Sequence, residues 1–120
     1  MPDQTPADPI LKLLLQSRQR PGMYFGSNEL KDVHQFLAGY RMALYELMLQ
    51  DSRLAAHADT SQSEAFFEGL YVKYGRGGGG HSWAFVLTNA AGGDRDAAWT
   101  LLQRELSEFL DRAPSRKEKP

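Results

Sequence analysis

The glycine-rich stretch from Gly75 to Gly80 is the first place where this chain could do chemistry, because the backbone N–H groups of such loops can cradle a phosphate. A phosphate-binding P-loop ends in Gly-Lys followed by Ser or Thr, whereas this stretch runs into His81. It also lacks a surrounding strand–turn–helix unit with a downstream acidic residue for a ribose. We therefore expect a flexible connector at this position and no bound nucleotide.

The three histidines, His34, His57 and His81, are the natural candidates for metal ligands or a general base. They are separated by long intervals, and the two acidic residues near His34 are typical of a solvated helix face. His81 and Ser82 could be drawn as a base and a nucleophile. Adjacent side chains seldom face each other, however, and neither a Gly-x-Ser-x-Gly elbow nor a third member accompanies them. The sequence thus predicts no catalytic residue, no metal site and no cofactor.

The segment from Arg20 to Gly26, RPGMYFG, combines a Pro-Gly turn with three adjacent apolar residues that cannot all face one way. It is either a structural clip that pins the first loop under the next helix or a contact surface for a partner, since Arg and Tyr are enriched among interface hot spots. In either case Met23 is expected to lie in the core. If the segment is a clip, the glycine loop and the residues after it are the next candidates for the binding surface. The candidate partner-binding residues are Arg20, Tyr24, Phe25, His81, Ser82 and Trp83.

Hydrophobic spacing predicts the helices that position these segments. Asp8-Pro9 is a helix-start signal, Pro114 is a stop signal, and the longest periodic run predicts a central helix that packs on the last one. Gly39, within this long helix, is expected to mark a close approach of another backbone. The expected helices are 9–18, 28–50, 63–75 and one that begins at Asp94 or Asp96 and ends near Arg112.

The region around residues 70–88 has two interpretations. Trp83, Val86 and Leu87 fit helical spacing, while Trp83, Phe85 and Leu87 fit the alternation of a strand. Leu70 to Tyr74 has the same ambiguity, so a short β-hairpin across the glycines is the alternative to two helices.

Composition limits the class of protein. A chain of 120 residues with 42% hydrophobic residues fits one globular domain. The formal charge of −1 gives no electrostatic attraction to nucleic acid or to anionic lipid. The start of the chain lacks the basic and apolar stretches of a secretory signal, and no apolar run is long enough to span a bilayer, which predicts a cytoplasmic location.

The RPGMYFG segment resembles the Arg-Pro-Gly-Met-Tyr-Ile-Gly segment at the start of the ATPase domain of type II topoisomerase B subunits such as gyrase. That resemblance ends after a handful of residues, because the chain has no Asp-x-Gly-x-Gly nucleotide loop. A broader pattern joins Arg20–Gly26 to Leu30 with Phe36-Leu37 and Gly39-Tyr40, to Ser82-Trp83, and to a terminal helix from Trp99 to Phe109-Leu110. This pattern resembles a family of small bacterial proteins of unassigned function, which are similar to toxin-immunity proteins in size and in their lack of catalytic residues.

These observations predict a mainly α-helical single domain of about five helices over residues 8–113, with a flexible start at 1–7 and a disordered tail at 114–120. The predicted function is that of a cytoplasmic immunity or antitoxin protein, not an enzyme, that binds and occludes a toxin or effector protein. One alternative is a small nucleotide-binding or enzymatic relative of the topoisomerase ATPase. The other is a self-associating structural or regulatory module, for which a homodimer is the simplest arrangement.

Overall fold

The computed structural model describes residues 6–75 and 82–112, except for the side chains of residues 55–57, and within these ranges the chain is helical without any strand. The mainly α-helical fold is therefore confirmed. The α-helices are α1 (Pro9–Gln16), α2 (Pro21–Phe25), α3 (Leu30–Gln50), α4 (Ser61–Tyr74), α5 (Trp83–Ala90) and α6 (Arg95–Arg112), and a 3₁₀ helix, Ser52–His57, joins α3 to α4.

The ambiguous region is helical on both sides of the glycines. Residues 70–74 complete α4 and residues 83–88 lie in α5, so neither flank of the alternative hairpin is a strand. Residues 76–81, and with them His81 and most of the glycine run, lie outside the described residues. The same holds for residues 1–5 and 113–120, so the expected tail and almost all of the expected flexible start stay predictions.

The centre of the domain is α5, which contacts α3, α4 and α6. The predicted contact between α3 and the last helix, α6, is present, but it is small and α5 is the main partner of both. The reason is composition, because α5 is apolar on most of its faces and a helix of that kind belongs inside the core. Its buried residues are Trp83, Ala84, Val86 and Leu87.

Several helix ends follow the predicted signals. Asp8 caps α1, with Pro9 in its first turn, and Asp94 caps α6 by accepting a hydrogen bond from the Ala97 N–H at 2.9 Å. On the inner face of α6, Ala98, Leu102 and Leu106 are buried, and Phe109 and Leu110 are half-buried.

The last turn of α4 is joined to α6 by a polar cluster. Glu105 is buried, and its Oε2 accepts hydrogen bonds from Lys73 Nζ at 2.7 Å and from the Tyr74 hydroxyl. Burial raises the pKa of Glu105, but the hydrogen bonds from Lys73 and Tyr74 outweigh it and hold that pKa below its ordinary value. The carboxylate is therefore ionised at neutral pH, and it fixes the end of α4 on the middle of α6.

Candidate protein-binding surface

The RPGMYFG segment forms the short helix α2, which the sequence patterns did not predict. Pro21 occupies its first turn and Gly26 ends it with a φ of 86°, a left-handed conformation that glycine adopts without strain. One helical turn divides the three apolar residues between core and solvent. The segment is consequently a structured turn whose residues differ sharply in exposure.

Phe25 packs in the core. Its side chain is only 8% exposed, and its ring packs edge-on against Phe36 at a centroid distance of 5.2 Å and against Trp99 at 6.4 Å. These contacts hold α2 on α3 and α6. Phe25 therefore acts as the clip that the first interpretation described, and it presents no exposed anchor.

Met23 was expected to be buried, and this prediction is wrong. Its side chain is 73% exposed, next to the exposed Arg20, whose Nη1 lies 3.8 Å from the Met23 sulfur. The α2 helix turns Met23 away from the core because Phe25 occupies the inward position of its single turn. Tyr24 is partly accessible, with 37% of its surface exposed. Of the candidates in this segment, Arg20 and Tyr24 are accessible to a partner.

Ser82 and Trp83 have structural roles at the start of α5. The Ser82 hydroxyl caps the helix by accepting a hydrogen bond from the Phe85 N–H at 3.2 Å. Trp83 is buried, with its ring stacked on Phe67 at 4.6 Å and met edge-on by His34 at 5.8 Å. Trp83 is thus buried about as deeply as Phe25, and neither ring is exposed to a partner.

The second half of α3 is the surface that the search for motifs missed. The first half supplies the buried residues Leu30, Val33 and Leu37, but no residue from Ala38 to Gln50 is buried. Exposed large apolar side chains nevertheless continue along it, with Met42 at 70% and Tyr45 at 57% exposure. Leu47 and Leu49 are exposed as well. The sequence indicates this surface, because apolar residues occur on several faces of this half of the helix and packing against the core can cover only one of them.

A groove runs along α3 on one side of this surface, with α4 opposite its smaller hollow and mainly the connection before α4 opposite its larger one. It consists of two hollows of about 290 Å³ and about 570 Å³ that share Ala38, Arg41 and Glu64 in their walls. The smaller hollow reaches down to Phe67 and Trp83. The larger one lies against Met42, Tyr45 and Met48. We call these two hollows together the α3/α4 groove.

An ion pair crosses the groove at its middle. Arg41 Nη2 bonds to Glu64 Oε2, and both side chains are more than half exposed. Such exposed pairs contribute about 0–1 kcal/mol, so opening this one costs little. In the smaller hollow His34 is half-buried, and burial lowers its pKa below the ordinary value, so its ring is neutral at pH 7.

The described residues hold no group of three or more histidine, cysteine or carboxylate side chains placed to bind one metal ion. Within the same ranges, none of the helices has both the length and the apolar character that crossing a bilayer requires. Comparison of the chain with protein-family models, with curated proteins and with solved structures returns no match.

Proposed function

We propose that this chain is a protein-binding module of the immunity type, which binds a toxin or effector protein in the cytoplasm and occludes it. One observation carries the proposal: the second half of α3 has no buried residue, yet it exposes Met42, Tyr45 and Leu49, whose spacing places them on one face of the helix. Covering apolar surface is favourable by roughly 25 cal/mol per Å². Clustered exposed apolar side chains mark interaction sites in soluble proteins.

The immunity role is supported by the resemblance of the Arg20–Gly26, Phe36–Tyr40 and Ser82-Trp83 pattern to a family of small bacterial proteins of unassigned function, which are similar to toxin-immunity proteins in size and in their lack of catalytic residues. A protein that acts by occlusion needs an exposed contact surface on a stable scaffold, and the apolar half of α3 offers such a surface. The proposal assigns the chain no catalytic role and no cofactor.

The test is protection against a toxic neighbour. Products of the genes adjacent to this one are expressed in a growth assay with and without the chain, and each pair is purified for light scattering after size exclusion. We expect one neighbour to arrest growth, the chain to restore it, and the two proteins to elute as a stoichiometric complex. The absence of both protection and a complex for every neighbour would overturn the proposal.

Two variants link protection to the surface. Tyr45→Glu places a charge on the exposed face of α3 and is expected to abolish protection. Val72→Glu makes the same kind of change at an exposed apolar residue of α4 and is expected to protect like the wild type. A complex of the chain with itself, and none with a neighbour, would instead support the self-association alternative.

Nucleotide binding is tested separately. Calorimetric titration of the chain with ATP and magnesium is expected to give no saturable heat, because no P-loop pattern is present in the sequence. Saturation in the micromolar range would favour the alternative of a nucleotide-binding relative of the topoisomerase ATPase.

A further inference from the structure

The α3/α4 groove has the shape of a site for an elongated ligand. Its two hollows follow one another along α3, from His34 in the smaller hollow to Met48 in the larger one. At 1.5 Å per residue this part of α3 is about 21 Å long, which equals roughly four helical turns. A compact small molecule would fill one hollow only, whereas a peptide segment lying along α3 would occupy both.

The chemistry of the walls favours a helix as that segment. Partner strands add to the exposed edge of a sheet, and the described part of the chain has no sheet to extend. Helices bind instead by laying an apolar stripe into a groove lined by apolar side chains. Here the lining includes Leu37, Phe67, Met42 and Met48, and methionine adapts its shape to different apolar partners.

The charge of the side chains that line the groove determines which sign of charge the polar face of the ligand should carry. Among the described side chains that line the groove, Glu46 and Glu64 outnumber the single cation Arg41, and a third carboxylate, Glu68, has an interaction partner of its own. With His34 neutral at pH 7, the described lining is therefore acidic in formal charge. Displacing Arg41 from Glu64 costs little because both side chains are exposed, and it leaves the Glu64 carboxylate, which also accepts a hydrogen bond from the Thr60 hydroxyl, available to another cation.

We infer that the α3/α4 groove binds one amphipathic helix of the partner protein, about four turns long, with an apolar stripe towards Ala38 and Met42 and basic residues towards Glu46 and Glu64. This inference rests on the proposed function, for it names the part of the partner that the chain recognises. The basic residues of that helix replace Arg41 in its contact with Glu64.

The probe is a synthetic 15-residue helix of leucine and lysine, labelled for fluorescence anisotropy and titrated with the full chain. Its charge-reversed counterpart, leucine and glutamate, and a scrambled leucine–lysine peptide without an apolar stripe are the reference ligands. We expect the cationic amphipathic peptide to bind at least about tenfold more tightly than either reference, a difference of about 1.4 kcal/mol. Its affinity should fall as salt is raised, since exposed charges are screened.

Replacing either of two alanines of α3 with arginine tests where the peptide binds. Ala38→Arg puts a long cation into the wall that both hollows share and is expected to weaken the cationic peptide at least about tenfold. Ala43→Arg makes the same change at an exposed position of α3 outside the groove and is expected to change the affinity less than about twofold. Equal losses in the two variants, or equal binding of the anionic peptide, would overturn the inference.

The outcome separates the inference from the proposed function. If the chain protects against a toxic neighbour and Ala38→Arg protects equally well, the proposed function stands and the groove is not the contact, which overturns the inference. If the cationic peptide binds at the groove as described but no neighbour is neutralised, the groove inference stands and the immunity role fails.

Discussion

The backbone N–H of Ser63 donates a hydrogen bond of 2.8 Å to Asp8 Oδ2, across 55 positions of the chain. The other oxygen of the same buried carboxylate accepts from the N–H groups of Ile10 at 2.9 Å and Leu11 at 3.1 Å. One side chain therefore caps the first turns of both α1 and α4. The free N–H groups of two helix starts, which would otherwise be buried without acceptors, are satisfied together.

Asp8→Ala is expected to cost more than the loss of an ordinary helix cap, which is about 0.5–2 kcal/mol. The extra cost arises because a donor of a second helix is also left buried without an acceptor, at about 1–3 kcal/mol. Asp94→Ala, which removes an exposed cap with one hydrogen bond, is the matched control. Urea unfolding measures both free energies, and equal losses would show that the contact with Ser63 contributes nothing.

The side chains of α2 are expected to differ in their contribution to folding. Phe25→Ala should lower the free energy of unfolding by about 3–5 kcal/mol, since it leaves a cavity against Phe36 and Trp99. Met23→Ala should stay within about 0.5 kcal/mol of the wild type because its side chain is exposed. Thermal and urea unfolding of the two variants provide the measurement, and a large loss on truncating Met23 would show that it packs in the core after all.

The acid side of the stability profile is expected to depend on Glu105. Its pKa in the folded chain lies below the ordinary value of about 4.3, so the folded state holds this proton less tightly than the unfolded state. The stabilisation is fully present above the unfolded pKa, and it is lost as the pH falls through the folded pKa. Urea unfolding between pH 2 and pH 7 should show a shallower acid-side slope for Glu105→Gln.

Glu108→Gln is the control for this experiment. Glu108 is an exposed neighbour on α6 whose Oε1 lies 3.9 Å from Lys73 Nζ, so it shares the cation but not the burial of Glu105. Its removal should leave the acid-side slope nearly as in the wild type. A slope that changes equally in both variants would mean that general surface charge, and not the buried carboxylate, sets the acid sensitivity.

Two glycines are expected to respond to alanine with opposite signs. Gly39 lies inside α3, and a Cβ built there meets nothing within 4 Å, so the close approach expected from the sequence does not occur. Gly39→Ala should raise the free energy of unfolding by about 0.5–1 kcal/mol. Gly26→Ala should lower it by about 1 kcal/mol or more, because the φ of 86° strains any other residue. Denaturant midpoints compare the two, and a loss at Gly39 would contradict the open surface.

The sequence predicted the elements whose signals are local. Asp8 identified the start of α1, and the alternatives Asp94 and Asp96 identified the start of α6 to within two residues, because a cap is visible within one turn of chain. The inward turn of Phe25 and the outward turn of Met23 could not be predicted. Both depend on a single helical turn and on aromatic neighbours that are distant in sequence.

The same limit applies to the binding surface. The apolar spacing of α3 continues along the helix, but its buried residues, Leu30, Val33 and Leu37, all lie in the first half. Leu37 and Leu47 belong to one apolar pattern, yet Leu37 is buried and Leu47 is exposed. Sequence spacing shows which side of a helix is apolar. It does not show how far along the helix its neighbours extend.

The central position of α5 has a consequence for the order of folding. Isolated helices shorter than about 12–15 residues are marginal in water, and α5 has 8 residues with partners both earlier and later in the chain. It can gain stability only after α3, α4 and α6 have come together, so its contacts should be weak in the transition state. In a Trp99→Phe chain, Trp83 fluorescence should then reach its native value after the far-ultraviolet circular dichroism signal of the longer helices.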